Sequence, residues 1–188
     1  PDLDEERFSH GDPMVLALTI AEAKAHAVYD RLVQGIGSDP EAAGGASAGN
    51  PGAAGEATAR WILTADTVVA VAGHILGKPR DREHAAAMIQ LLSGRAHSVV
   101  TGLAVWPPGR EQPGVTATET IVSFRTLSEP ELESYLGSGD WEDVAGAYRI
   151  QGVAARYIDW ISGSYSNVVG LPIHLVYSIL KQHGYPFG

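Results

Sequence analysis

The sequence predicts an α/β fold in which helices flank a sheet of mixed direction. Two observations lead to this prediction. Near the start of the chain, apolar residues recur at spacings of three and four, as in an amphipathic helix. From Trp61 onward, runs rich in β-branched residues alternate with helical patterns and include one long hairpin. The 188 residues suffice for one domain with a sizeable hydrophobic core.

The first helix is predicted over residues 13–34, with Asp12 as its cap and Pro13 as its first residue. Its apolar stripe comprises Met14, Leu18, Ala21, Ala25, Val28 and Leu32. Residues 35–58 differ, because they are dominated by Gly, Ala, Ser and Pro. Such a low-complexity segment buries too little apolar area to offset its ordering entropy. We interpret it as a disordered insertion within one domain of residues 1–188.

The first strands are predicted from two β-branched runs, 62–65 and 68–71, on either side of Asp66-Thr67. A turn at Ala72-Gly73 is expected to lead into a short strand at 74–76. Asp81 is the expected cap of a second helix, which ends at Ser93-Gly94.

The second half of the chain is predicted to begin with the long hairpin, formed by strands over 97–106 and 116–126. Ser128 and Glu131 have the spacing of a capping box for a third helix that stops at Gly137. Strands at 147–151 and 154–161 are expected to follow. A last helix is predicted from about Leu171-Pro172 to His183-Gly184.

Composition excludes several classes of function. A net charge of −9 argues against a general nucleic-acid binder, which needs a basic face. The absence of cysteine excludes disulfides, thiolate zinc sites and cysteine nucleophiles. No apolar run approaches the ~18 residues of a membrane span, and no signal peptide opens the chain. We therefore expect a cytoplasmic protein that binds neither nucleic acid nor membrane.

The residues that remain for chemistry are carboxylates and lysines, since the chain has no H-E-x-x-H, G-x-S-x-G, Walker or Rossmann motif. Oxygen ligands together with ammonium groups suit Mg²⁺-dependent phosphate chemistry. Lys24 borders the apolar stripe of the first helix, and Lys78 precedes the start of the second, where anions bind favourably. A solvated surface lysine is the alternative at either position.

Two further polar residues stand in apolar surroundings. Asp66 interrupts the run 62–71, where a carboxylate needs a metal, a cation or a catalytic role, unless it caps a strand end or lies in a bulge. Gln151, in Tyr148-Arg149-Ile150-Gln151-Gly152, is a polar residue at the tip of a predicted short strand. Its alternative role is a simple hydrogen bond to the backbone.

Several blocks in order resemble the signature of the Maf family of nucleoside triphosphate pyrophosphatases. The resemblance covers nearly the whole chain to Leu180, except the insertion 35–58. The blocks are Thr64-Ala65-Asp66-Thr67-Val68-Val69, Leu76-Gly77-Lys78-Pro79-Arg80-Asp81, Leu92-Ser93-Gly94-Arg95-Ala96-His97, Val100-Thr101-Gly102, Val122-Ser123-Phe124-Arg125, Ala145-Gly146-Ala147-Tyr148-Arg149-Ile150-Gln151-Gly152 and Gly163-Ser164-Tyr165-Ser166-Asn167-Val168-Val169-Gly170-Leu171-Pro172.

The resemblance implies an elongated mixed sheet with two lobes around a cleft, as in inosine triphosphate pyrophosphatases. It also implies hydrolysis of a nucleoside triphosphate between its α and β phosphates. Asp66 matches the catalytic aspartate that accepts a proton from the attacking water. Glu5 and Asp66 match the site of a divalent cation, Mg²⁺ or Mn²⁺. Lys24 and Lys78 match lysines that hold the phosphates.

The resemblance extends to substrate choice. Ala65-Asp66-Thr67 and Ile150-Gln151-Gly152 are similar to the branch that prefers dTTP and UTP, which makes Thr67 and Gln151 the expected substrate-binding residues. The branch that acts on 7-methyl-GTP carries Ser-Asp-Gln and Ser-Glu-Gly there. The alternatives are such a 7-methyl-GTP pyrophosphatase, or a septum inhibitor that acts through protein contacts. A homodimer is also expected.

One departure from the family concerns the start of the chain. The family begins with a strand and a Ser-x-Ser-Pro-Arg-Arg loop that binds the triphosphate, whereas the match here begins at the acidic residues 2–6. We therefore expect a first strand and its loop to be missing upstream of Pro1.

Overall fold

A five-stranded sheet lies between two layers of helices in the computed structural model, which describes residues 11–35 and 60–187. The strands follow the order β2-β1-β3-β4-β5 across the sheet. Their bounds are Ile62–Val71 for β1, His74–Leu76 for β2, Ala96–Trp106 for β3, Gly114–Phe124 for β4 and Ile158–Ser162 for β5. Among these described strands every pairing is antiparallel, so the mixed direction that we expected is not seen in this part of the chain.

Five α-helices accompany the sheet within the described ranges. They are α1 (Pro13–Gly35), α2 (Arg82–Leu92), α3 (Glu129–Leu136), α4 (Tyr165–Val169) and α5 (Ile173–Gln182). The predicted caps are confirmed: Asp81 accepts a hydrogen bond from the backbone N–H of His84 at 2.7 Å. The backbone N–H of Ser128 donates to Glu131 at 2.9 Å, which completes the capping box. No described helix combines the length and hydropathy needed to cross a bilayer.

Helix α1 covers one face of the sheet. Its buried residues are Leu16, Ala17, Ile20, Ala21 and Ala25. Of the predicted stripe, Ala21 and Ala25 are buried as expected, whereas Val28 is 36% exposed. The contact lies nearer the start of the helix because small residues there let its backbone approach β3 closely. A Cβ atom on Gly102 would lie only 2.7 Å from the Leu18 nitrogen and still closer to the Ala17 carbonyl.

The largest hydrophobic core lies on the opposite face. It joins Val69, Val99 and Val122 of the three longest strands with Ile89 and Leu92 of α2. Aromatic side chains complete this core, and they comprise Phe124, Tyr135, Tyr148 and Tyr157. The α/β class with helices flanking a sheet is therefore confirmed, with α1 on one face and α2 on the other.

The chain between α3 and β5 departs from the predicted strands. The predicted strand 147–151 is wrong, because Gly146 and Ala147 have φ of +69° and +60° and end a short 3-10 helix at Ala145–Ala147. Residues Val153–Tyr157 form another 3-10 helix, so that β5 begins only at Ile158. The short helix α4 was not predicted. Glu5 and residues 36–58 of the predicted insertion lie outside the described residues.

Candidate functional site

A lysine and a carboxylate meet between α1 and the sheet. Asp66 lies in the middle of β1 on the face that α1 covers, and only 9% of it is exposed. The Nζ atom of Lys24, on α1, forms an ion pair with Oδ1 of Asp66. The Thr64 hydroxyl holds α1 in place by donating to the Ala21 carbonyl at 2.6 Å. Among the described residues, Oδ2 of Asp66 has no hydrogen-bond partner.

Thr67 points to the opposite face, because successive side chains of a strand alternate. Its hydroxyl lies 2.8 Å from that of Thr101, its direct partner on β3. Thr101 is fully buried and donates to the carbonyl of Asn167 at 3.1 Å. The side-chain amide of Asn167 in turn donates to the Val99 carbonyl at 3.0 Å. These hydrogen bonds connect Thr67 to β3 and to α4.

A cavity of about 300 Å³ opens in front of Thr67. Its lining comprises Thr67, Val69, Val99, Val144, Ala145, Tyr148, Arg149, Gln151, Val168 and Val169. The exposed Gln151 contributes a side-chain amide that can both donate and accept. The Arg149 guanidinium is engaged elsewhere, since it donates to the Glu142 carbonyl at 2.7 Å. The result is a pocket of mixed polarity, in which the side chains of Thr67 and Gln151 can orient a ligand.

One wall of this cavity is anchored by a buried histidine. His97 Nε2 lies 2.8 Å from the Tyr148 hydroxyl, and the two rings meet edge to face. Burial lowers the pKa of His97 from 6.5 to about 4, against a smaller opposing effect of a hydrogen bond with the Arg95 backbone. Burial also raises the pKa of Tyr148 above its usual value. His97 is therefore a neutral packing residue.

Side chains on both faces of β1 can be reached from one edge of this strand. Strand β2 pairs only with Val69–Val71, so among the described strands nothing lies beside residues 62–68 of β1 on that side. Since Leu76 pairs with Val69, the chain leaves β2 next to this open edge, and Lys78 is the second residue after the exit. Lys78 is exposed, and the Gly77 carbonyl before it accepts from the Gly146 N–H at 3.0 Å.

The structure thus brings the predicted residues into two groups. Lys24 with Asp66 lies on the α1 face, and Thr67 with Gln151 lies at the cavity on the other face; Lys78 follows the open edge between them. Glu5 lies outside the described residues. Sequence reasoning missed the supporting role of Thr101 and Asn167. The one available signal was a threonine in the otherwise apolar strand 99–106.

Known proteins resemble this chain across both groups. A family model described as Maf-like protein matches residues 1–183. A dTTP/UTP pyrophosphatase of Pyrococcus abyssi is 38% identical over 181 residues, which are 96% of this chain and 82% of the relative. A dTTP/UTP pyrophosphatase of Carboxydothermus hydrogenoformans is 40% identical over 187 residues, 98% of this chain and 86% of the relative. One of Symbiobacterium thermophilum is 40% identical over 186 residues, 99% and 82% of the two chains. Because the family match includes the helix of Lys24, the strand of Asp66 and Thr67, and the cavity with Gln151, the chain belongs to the Maf family.

Proposed function

We propose that this protein hydrolyses dTTP and UTP between the α and β phosphates, releasing the monophosphate and pyrophosphate. The observation that carries the proposal is the pair Asp66-Thr67 on β1, where a carboxylate with a lysine partner and a residue lining a base-sized cavity are consecutive in the chain. The name dTTP/UTP pyrophosphatase of the relatives supports the same substrates.

The cavity suits a pyrimidine. Its volume of about 300 Å³ is at the lower end of the range for small-molecule sites, and six of its ten lining residues are valine or alanine. A pyrimidine carries alternating donors and acceptors along one edge, which the hydroxyl of Thr67 and the amide of Gln151 can meet. The neutral amide of Gln151 pairs with either kind of group, whereas a glutamate could only accept.

In this proposal, Lys24 and Asp66 bind the phosphates and activate the attacking water. Lys24 holds Oδ1 of Asp66 and fixes the orientation of its carboxylate. The second oxygen can then accept a proton from water that attacks the α phosphorus. An ammonium group has three donors, so Lys24 can also hold a phosphate while it contacts Asp66. We assign to Lys78, which is exposed and follows β2, the neutralisation of charge on the leaving pyrophosphate.

A divalent cation, Mg²⁺ or Mn²⁺, completes the proposal. No three His, Asp or Glu side chains converge as a metal cluster within residues 11–35 and 60–187. Mg²⁺ in phosphate-transfer sites needs only one or two carboxylates, with the remaining ligands from phosphates and water. Within residues 11–35 and 60–187 no group donates to Oδ2 of Asp66, so this oxygen fits such a site, and Glu5 is the second predicted ligand. The cation would neutralise phosphate charge.

The test is pyrophosphate release from dTTP, UTP and 7-methyl-GTP. We expect kcat/KM to favour the two pyrimidine nucleotides, and Gln151→Glu to lower it for dTTP by about 10- to 100-fold, because a carboxylate cannot donate to the base. Gln90→Glu on the exposed side of α2 makes the same charge change away from the cavity and is the matched control. A wild-type preference for 7-methyl-GTP would refute the substrate assignment.

Two further expectations accompany this proposal. We infer a homodimer, which light scattering on the purified protein tests directly. A cytoplasmic location is tested by cell fractionation.

A further inference from the structure

We propose that Thr101 fixes Thr67 as a hydrogen-bond acceptor toward the base and so makes the cavity select uracil over cytosine. This inference rests on the proposed function, and it concerns a residue that does not itself line the cavity.

The direction of the bond between Thr67 and Thr101 depends on where their hydroxyl protons go. A threonine hydroxyl has one proton to donate and two lone pairs. Thr101 is fully buried, and its hydroxyl lies 3.1 Å from the carbonyl oxygen of Asn167. A carbonyl oxygen can only accept, so the single proton of Thr101 is committed to Asn167.

With Thr101 donating to Asn167, the bond between the two threonines runs from Thr67 to Thr101. The hydroxyl oxygens of Thr67 and Thr101 lie 2.8 Å apart, and one of them must donate. Since the Thr101 proton is committed, Thr67 donates its own proton to Thr101. Within the described part of the chain, Thr67 retains only a lone pair, and it can offer the cavity an acceptor but not a donor.

An acceptor at Thr67 distinguishes uracil from cytosine, although the two rings have the same size. Uracil and thymine carry an N3–H, which can donate to the Thr67 oxygen. Cytosine has a lone pair at N3, so two acceptors would face each other. A site whose polar group is left unpaired by the wrong ligand discriminates strongly against that ligand.

The backbone makes this arrangement rigid. Thr67 and Thr101 are directly paired residues of neighbouring antiparallel strands, so their hydroxyls share one face at fixed register. Asn167 is also held, because its side-chain amide donates to the Val99 carbonyl and to Thr120, both at 3.0 Å. Rotating the Thr101 hydroxyl toward Thr67 would remove one of two donors from the Asn167 carbonyl, which also accepts from the Gly170 N–H at 2.9 Å.

The experiment measures kcat/KM for UTP and CTP with Thr101→Val, Thr101→Ser and the wild type. Valine keeps the shape of threonine but removes the acceptor, which frees the Thr67 proton to donate to N3 of cytosine. We expect the UTP-to-CTP ratio to fall about 10-fold in Thr101→Val, mainly through faster CTP turnover, and to stay within about twofold in Thr101→Ser.

The matched control is Thr64→Val. Thr64 also donates to a backbone carbonyl and lies on β1, but it points to the other face and has no link with Thr67. This variant is expected to leave the UTP-to-CTP ratio unchanged, whatever it does to stability. An unchanged ratio in Thr101→Val, or an equal shift in Thr64→Val, would overturn the inference.

A second variant keeps the proposal testable if Thr101→Val does not fold. Thr67→Val removes the acceptor itself from a half-buried position, so UTP should lose more of its kcat/KM than CTP does. Equal losses for the two nucleotides would overturn the inference while leaving the pyrophosphatase function intact. A wild-type protein that cleaves neither UTP nor dTTP would overturn both proposals.

Discussion

Replacing Gly102 with alanine would place a Cβ atom against the backbone of α1. The new atom would lie 2.7 Å from the Leu18 nitrogen and closer still to the Ala17 carbonyl. Neither contact can be relieved by rotating a side chain, because both involve main-chain atoms of a helix. Strand β3 cannot retreat either, since it pairs with β1 on one side and β4 on the other. Helix α1 must therefore move away from the sheet.

The size of the effect follows from that displacement. Ordinary van der Waals contact begins near 3.4 Å, so α1 must shift by about 1 Å. Overpacking of this kind costs ~1–3 kcal/mol, and we expect the upper part of that range because the buried residues of α1 lose contact together. The shift also moves Lys24 relative to Asp66. A misplacement of ~1 Å in a catalytic site costs roughly 100-fold in rate.

Urea unfolding and pyrophosphate release from dTTP measure the two effects. Gly114→Ala is the matched control, because it adds the same methyl group to a strand where the nearest atom, the Val105 carbonyl oxygen, lies 3.9 Å away. We expect Gly102→Ala to lose ~3 kcal/mol of unfolding free energy relative to this control, and about 100-fold in kcat/KM. If the two variants unfold within ~0.5 kcal/mol of each other, α1 does not depend on Gly102 and the reasoning fails.

Three other outcomes are expected. Asp66→Asn should lower kcat at least ~100-fold with little change in stability, whereas Lys24→Met should destabilise the fold more, since it leaves a buried carboxylate unpaired; kinetics and urea unfolding distinguish them. EDTA should abolish pyrophosphate release and Mg²⁺ should restore it, so full turnover in EDTA would contradict the metal assignment. His97 has a pKa of about 4 when folded and 6.5 when unfolded, so the unfolded chain binds more protons between these values. Unfolding free energy should fall by ~2–3 kcal/mol between pH 7 and 4, and urea titrations of His97→Gln should lack that part of the decrease.

Helices α2 and α3 were predictable because their start signals are local. Each signal for a helix start lies within four residues of sequence: Asp81 for α2, and Ser128 with Glu131 for α3. The structure shows both caps. The stretch after α3 misled the prediction because Ile150 and Val153 are residues typical of strands. Its conformation is decided by Gly146 and Ala147, whose positive φ values turn the chain away from an extended path.

The candidate site was harder to predict, since its contacts join distant parts of the chain. Lys24 reaches Asp66 across 42 positions, and that contact depends on where α1 crosses the sheet. The polarity of Thr67 depends on Thr101, which faces it only because β1 and β3 pair in one register. A sequence motif can identify Asp66 and Thr67. It does not show where α1 crosses the sheet or in which register β1 and β3 pair.

The shortness of β2 can be understood from the way side chains alternate between the two faces of β1. Asp66 and Thr67 are consecutive, so their side chains lie on opposite faces of β1, and a ligand can contact both only at an open edge. Continuing the register of β2 by two residues would pair Gly77 with Val68 and Lys78 with Thr67, closing that edge. The chain instead leaves the sheet, with the Gly77 carbonyl bound by the Gly146 N–H and Pro79 lacking a backbone donor. Among the described strands, the early end of β2 thus leaves residues 62–68 of β1 unpaired on this side, where a ligand can reach both faces.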